Sequence, residues 1–189
     1  MRMFVAAYPP ASARDHLAAR LRDLAAPTTE RLRWTAREQW HLTLAFLADV
    51  READIAELSG AMSEVARATS RFSSGLAGSG AFPRPARATT LWCGIDPGVT
   101  ELSAVAAAVA TAVRDAGLSL DDRPFRSHLT LARCQPTDLR PTVGRLADYR
   151  GPPFPVEDLA LVRSLLGKGP GGRAAHEVIG RWPMAADRT

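Results

Sequence analysis

The chain carries four histidines, and two of them head the same string: His41-Leu42-Thr43-Leu44-Ala45 and His128-Leu129-Thr130-Leu131-Ala132. A pentapeptide duplicated around so sparse a residue points to an internal repeat and predicts two related halves. Read as a strand, each copy sends the histidine, threonine and alanine to one face and the leucines to the other, with Phe46 on the leucine side. The imidazole and hydroxyl of one copy then lie roughly 6–7 Å apart along the strand. Two such strands related by a pseudo-twofold make a floor of two imidazoles and two hydroxyls, with Ala45 and Ala132 leaving room beside them. That set suits a tetrahedral anion, with Thr43 and Thr130 donating to its oxygens and a histidine on each flank. For displacement at phosphorus, one imidazole takes a proton from the attacking group while the other protonates the leaving oxygen. Each such role contributes on the order of 10²–10⁴-fold.

Other chemistries find less support. No His, Cys or carboxylate stands at ligand spacing beside either copy, so no metal site is expected. No Gly-x-Ser-x-Gly occurs. The run Gly167-Lys168-Gly169-Pro170-Gly171-Gly172 lacks the ending of a phosphate loop and is expected to be a turn. Cys93 and Cys134 lie far apart, in no CxxC pattern, and are expected as buried small hydrophobes. His16 is expected to be a partly buried or surface histidine, and His176 to be structural, with lining the cleft as its alternative. Arg133 follows the second copy directly. A regular strand would aim it away from His128, whereas a bulge would re-aim it toward the phosphate, where a guanidinium neutralises charge.

These residues need strands to carry them. Apolar runs predict strands over 3–7, 41–47, 89–95, 125–134, 154–166 and 174–182, with a short extended piece at 32–35 and a strand and turn at 73–80. Helical spacing predicts helices over 12–24, 49–68, 100–116 and 136–148. Asp96-Pro97-Gly98 marks a turn. The order is too irregular for a doubly wound parallel sheet, and the expected class is α+β: two pseudo-symmetric lobes, each with an antiparallel sheet lining a central cleft and helices outside. No linker divides residues 1–189 into separate units.

The 189 residues hold 46% hydrophobic and 23% charged side chains, which excludes a disordered, collagen-like or coiled-coil chain. No apolar run is long enough to span a bilayer, and the N-terminus has no secretory pattern, so a cytoplasmic protein is expected. The net charge is +4, carried almost wholly by arginine because Lys168 is the only lysine. This permits an anionic partner without requiring one. No obligate protein partner is expected.

The chain resembles the 2H phosphoesterase superfamily, and within it the bacterial and archaeal RNA 2′,3′-cyclic phosphodiesterases, first described as 2′-5′ RNA ligases. Beyond the two His-x-Thr-x motifs, the resemblance rests on Arg2-Met3-Phe4-Val5-Ala6, Leu32-Arg33-Trp34, Gly80-Ala81-Phe82-Pro83, Leu91-Trp92-Cys93-Gly94 and Phe125-Arg126-Ser127 before the second motif. It implies a bilobal fold and a metal-free, cofactor-free hydrolysis of RNA 2′,3′-cyclic phosphate ends to 2′-phosphates, with 2′-5′ ligation as a side activity. By resemblance His41 is the proton donor and His128 the proton acceptor. Thr43 and Thr130 hold the phosphate, and Arg133 matches the family's arginine after the second motif. The chain departs from the pattern at Ser127, where proline is usual, and at His176, where tyrosine is common. The residues also admit a sister activity on small cyclic nucleotides or ADP-ribose cyclic phosphate, and a non-catalytic RNA-end-binding module.

Overall fold

The computed structural model describes residues 1–24, 32–120, 124–169 and 174–186. In chain order the elements are β1 (Met3–Ala7), α1 (Ala11–Arg22), β2 (Arg33–Trp34), β3 (Leu42–Leu47), α2 (Ile55–Ala68), β4 (Phe72–Ser74) and β5 (Leu76–Phe82). They continue with β6 (Ala88–Ile95), α3 (Val99–Asp115), β7 (Leu129–Thr137), α4 (Arg140–Leu146), β8 (Phe154–Val156), β9 (Asp158–Leu165) and β10 (Ala175–Pro183). Local chemistry sets several boundaries. Gly98, at φ 103°, turns the chain into α3, whose Leu102, Val105, Ala106, Val109 and Val113 form one buried stripe. Gly117, at φ 71°, lets the chain leave just after that helix. Ahead of α2, the Asp54 carboxylate accepts from the Arg51 backbone N–H and from its guanidinium, closing one short turn before the helix starts at Ile55.

One antiparallel sheet runs β10-β9-β1-β3-β7-β6-β5, with β2 set against β7. The antiparallel sheets expected one to each lobe are joined into this single sheet along β3 and β7, which pair through Leu42 and Leu129. A separate ribbon joins β4 to β8. The described helices α1 to α4 lie under one face of the sheet, where Leu17, Leu58, Leu102 and Leu146 join Leu42, Leu44, Leu129 and Leu131 in the main core. Burying one such leucine contributes about 1.5–3 kcal/mol. The opposite face carries only a small cluster of Phe4, Ala6, Ala160 and Val162, flanked by Tyr8 and Phe46. That open face is the cleft.

Three expectations are corrected. The predicted helix at 136–148 shrinks to α4, because β7 continues through Thr137 and pairs it with Ala88; Pro136 disfavours helix at the residue before it. The strand predicted over 154–166 is two: β8 pairs β4, while β9 sits between β1 and β10. The strand predicted from 125 starts only at Leu129, so His128, like His41, stands one residue ahead of its strand. In the turn expected at 167–172, Gly167 is at φ 71° and the Lys168 N–H donates to the Leu165 carbonyl at 3.4 Å, while residues 170–172 lie outside the described residues.

The alternation inside the repeat also differs. Val5 faces Ala45 but Ala6 faces Thr43, leaving Leu44 as an extra residue. In the second copy Leu91 faces Ala132 but Trp92 faces Thr130, leaving Leu131 extra. Each half therefore contains the same β-bulge at the same position of the pentapeptide. The bulge turns two successive residues into the core, so Ala45 and Ala132 are buried there and do not border the histidines. It also brings the next residue, Phe46 in one half and Arg133 in the other, round to the open face.

Candidate active site

His41 and His128 are held by the same device. The Nδ1 of His41 lies 2.6 Å from the Gln39 carbonyl oxygen, and that of His128 lies 2.6 Å from the Arg126 carbonyl oxygen. A carbonyl only accepts, so each Nδ1 carries the proton and donates it. Each Nε2 is thereby left with a lone pair in the neutral ring, as a general base requires, and takes a second proton to become an acid. Because Leu42 and Leu129 pair with their side chains in the core, the residues on either side of them point to the open face. Continuing that register sets His41 across from Thr130, and His128 across from Thr43. Both histidines and both threonines are half-buried.

The walls around the two rings differ. Phe4 stacks on His41 with centroids 4.6 Å apart, and Tyr8 lies 5.7 Å away. Arg181 in turn lies 4.8 Å over the Tyr8 ring. His128 meets Phe82 edge-on at 4.9 Å and Trp92 at 6.3 Å. The Trp92 indole lies flat across β5 because position 80 is glycine; a Cβ there would overlap the ring. Arg126 sits 5.9 Å from the Phe82 centroid. Arg133 donates from Nη1 to the Thr90 hydroxyl at 3.5 Å, on the Trp92 side of β6.

Electrostatics follow from this packing. His41 is held down at about 4, chiefly by burial; its hydrogen bond to Gln39 opposes this, and His176, His128 and Arg133 add smaller effects in the lowering direction. His128 is also lowered, chiefly by burial and then by Arg133, against the bond to Arg126. Both rings are neutral at pH 7 in the free protein. An anion bound between the rings would reverse the sign of the local field and raise both values.

The structure thus brings His41, His128, Thr43, Thr130 and Arg133 to one face. It also adds residues that pattern reading missed. His176, expected to be structural, lies 5.3 Å from the His41 ring and 5.0 Å from Phe4. Phe4 and Tyr8 escape notice because β1 is apolar on both faces, which erases the period-two signal. Phe82 and Trp92 fall within the landmark strings, without any pattern that marks them as wall residues. His16 lies elsewhere, its Nδ1 3.1 Å from the Tyr149 hydroxyl. Both cysteines are buried free thiols, and burial raises Cys93 to about 12, which removes it as a nucleophile at neutral pH. Among the described residues no three His, Cys, Asp or Glu side chains converge as metal ligands, and no helix is long and apolar enough to cross a membrane.

Known proteins are similar to this chain in sequence and fold. Residues 8–92 and 94–171 match the family described as LigT like phosphoesterase. An RNA 2′,3′-cyclic phosphodiesterase of Aeropyrum pernix is 32% identical over 165 residues, spanning 85% of this chain and 93% of that protein. One of Geobacillus stearothermophilus is 33% identical over 153 residues, spanning 80% of this chain and 47% of that protein, so the chain covers about half of that relative's length. In fold, the chain is similar to the crystal structure of TT0787 of Thermus thermophilus, with a TM-score of 0.80, 24% identity and full coverage of both chains. It is also similar to E. coli LigT complexed with 3′-AMP, with a TM-score of 0.77, 24% identity and 97% of each chain covered. With its family match spanning nearly the whole sequence and its paired His-x-Thr strands facing one cleft, the chain belongs to the LigT-like 2H phosphoesterase family.

Proposed function

We propose that this protein hydrolyses RNA 2′,3′-cyclic phosphate ends to 2′-phosphates by acid–base catalysis with two histidines, needing neither metal nor cofactor. The observation that carries the reading is the pair of motif histidines, each with Nδ1–H bound to the carbonyl two residues earlier and Nε2 left for chemistry. The names of the relatives supply the substrate class. We read residues 1–189 as one catalytic domain of this kind.

In the proposed reaction, Thr43 and Thr130 donate to the non-bridging oxygens of the cyclic phosphate. His128 Nε2 removes a proton from water as the water oxygen bonds to phosphorus. The bond from phosphorus to the 3′ oxygen breaks, and His41 Nε2–H protonates that oxygen. The products are a 2′-phosphate and a free 3′-hydroxyl, with His41 neutral and His128 protonated; exchange with solvent resets the pair. Arg133 opposes the charge that builds on the phosphorane oxygens. His41, the ring held lower in the free protein, acquires its proton with the substrate, whose anionic phosphate stabilises the imidazolium. An RNA 5′-hydroxyl in place of water would give a 2′-5′ linkage through the same two proton transfers.

The test is to incubate the protein with an RNA ending in a 2′,3′-cyclic phosphate and identify the new end. A 2′-phosphate formed at the same rate with and without EDTA is expected. A 3′-phosphate, no turnover, or loss in chelator with recovery on adding a divalent ion overturns the proposal. Preference for a mononucleotide over an oligonucleotide substrate would assign the same chemistry to small cyclic nucleotides.

A further inference from the structure

His176 stands on β10, three strands from β3 in the sheet, yet its ring comes within 5.3 Å of His41. His176 shares the face of Val178, whose partner Val162 belongs to the open-face cluster, and Gln39 ties the chain just before β10. The side-chain amide of Gln39 donates to the Ala174 carbonyl at 3.0 Å, while its backbone carbonyl accepts from His41 Nδ1. One residue thus fixes both the acid candidate and the approach of the strand that carries a third imidazole. The His176 ring meets both Phe4 and His41 edge-on, at interplanar angles of 71° and 76°.

Among the described residues the buried His176 Nδ1 has no hydrogen-bond partner. A buried N–H with no acceptor costs more than a bare lone pair, and truly orphaned donors are rare. The favoured neutral tautomer therefore keeps the lone pair on Nδ1 and the proton on Nε2. This is the opposite tautomer to that of His41, and the two rings together present one acceptor and one donor.

We propose that His176 is a substrate-contacting hydrogen-bond donor, whose Nε2–H binds an anionic oxygen of the phosphate beside His41. The inference rests on the phosphodiesterase reading and adds a third imidazole to it. His176 transfers no proton; it strengthens a hydrogen bond as charge accumulates on the oxygen, so it acts mainly in the transition state.

Two measurements test this. With RNA bearing a 2′,3′-cyclic phosphate, H176F keeps an aromatic ring against Phe4 and His41 but loses the donor, and kcat is expected to fall about 10²-fold with little change in KM. H176Q carries an amide N–H near the Nε2 position and is expected to recover kcat to within about tenfold of the parent protein. In the unmodified protein, titration with inorganic phosphate is followed by the ring signals of the four histidines. Signals of His41, His128 and His176 should move together while His16 stays still. Full activity in H176F, failure of H176Q to recover activity, or a His176 signal that stays fixed while those of His41 and His128 move overturns the inference. Absence of any response to phosphate, together with no turnover of cyclic-phosphate RNA, overturns the phosphodiesterase reading and the inference with it.

Discussion

The two halves of the cleft share a pentapeptide, a bulge and a carbonyl clamp on histidine, and they differ in almost everything packed around these. The first half encloses its histidine: Phe4 is stacked on His41, and Tyr8 and His176 close its other sides. Its nearby arginine, Arg181, is tied to the Asp158 carboxylate. In the second half, among the described residues, Arg133 bonds to the neutral Thr90 hydroxyl and Arg126 is set near the Phe82 ring. After the bulge, one half offers Phe46 and the other Arg133. An identical motif thus acquires unequal chemistry from its walls: burial depresses His41 strongly, while the lesser depression of His128 comes from burial and then from the Arg133 guanidinium.

The largest expected effect treats the halves as equals. H41A and H128A should each lower kcat by roughly 10²–10⁴-fold, and the double variant should lose little more than the worse single one, because the two rings act as a unit. Steady-state kinetics on a cyclic-phosphate RNA checks this, with circular dichroism confirming folding. A variant that keeps full turnover removes that half from the mechanism.

Making the halves alike at the position after the bulge comes next. R133F copies the first half into the second and should cost about 10²-fold in kcat/KM through lost charge stabilisation. F46R, on the aromatic side, should not compensate. Equal rates for R133F and the parent would mean that Arg133 serves something other than the reaction.

A third prediction uses the unequal titration. The reactive form needs His41 protonated and His128 neutral, so kcat/KM should be bell-shaped with both limbs below 6.5, the ordinary value for histidine, and one near 4. The kcat optimum should lie at higher pH, because bound phosphate raises both values. A kcat/KM optimum above 6.5 would contradict the burial argument. Stability obeys the same sign. A histidine depressed in the folded state stabilises the neutral form, so its contribution is present above the unfolded value and is lost as pH falls from 6.5 toward about 4. Melting curves of H41A should lose part of that acid-side slope.

The smallest effect concerns the second wall alone. G80A places a methyl group against Trp92 and should cost about 1–3 kcal/mol of stability from overpacking. The displaced indole should perturb His128 and leave His41 unchanged, as histidine ring signals would record. Equal perturbation of both rings would show that the walls are coupled.

Much of this was legible in the residues. Histidine is scarce in the chain, so its duplication in one string carried real information, and period-two alternation correctly sent the leucines beneath and the threonines above. The bulges were not legible, because Leu44-Ala45 and Leu131-Ala132 are apolar pairs and fit the core whichever way they turn. The division of 154–166 into two strands was hidden because β8 and β9 are both apolar and differ only in their partners. His176 is remote from His41 along the chain, and no local pattern links a residue on β10 with one on β3.

Local composition was enough to establish the paired histidines, the class of fold and the phosphate chemistry they suggest, since these depend on residue type and short-range alternation. Pairing across the sheet decided the rest: which ring lies deepest, where Arg133 points and which histidine becomes a third neighbour. These properties arise from desolvation and register, which exist only once distant strands have been brought together.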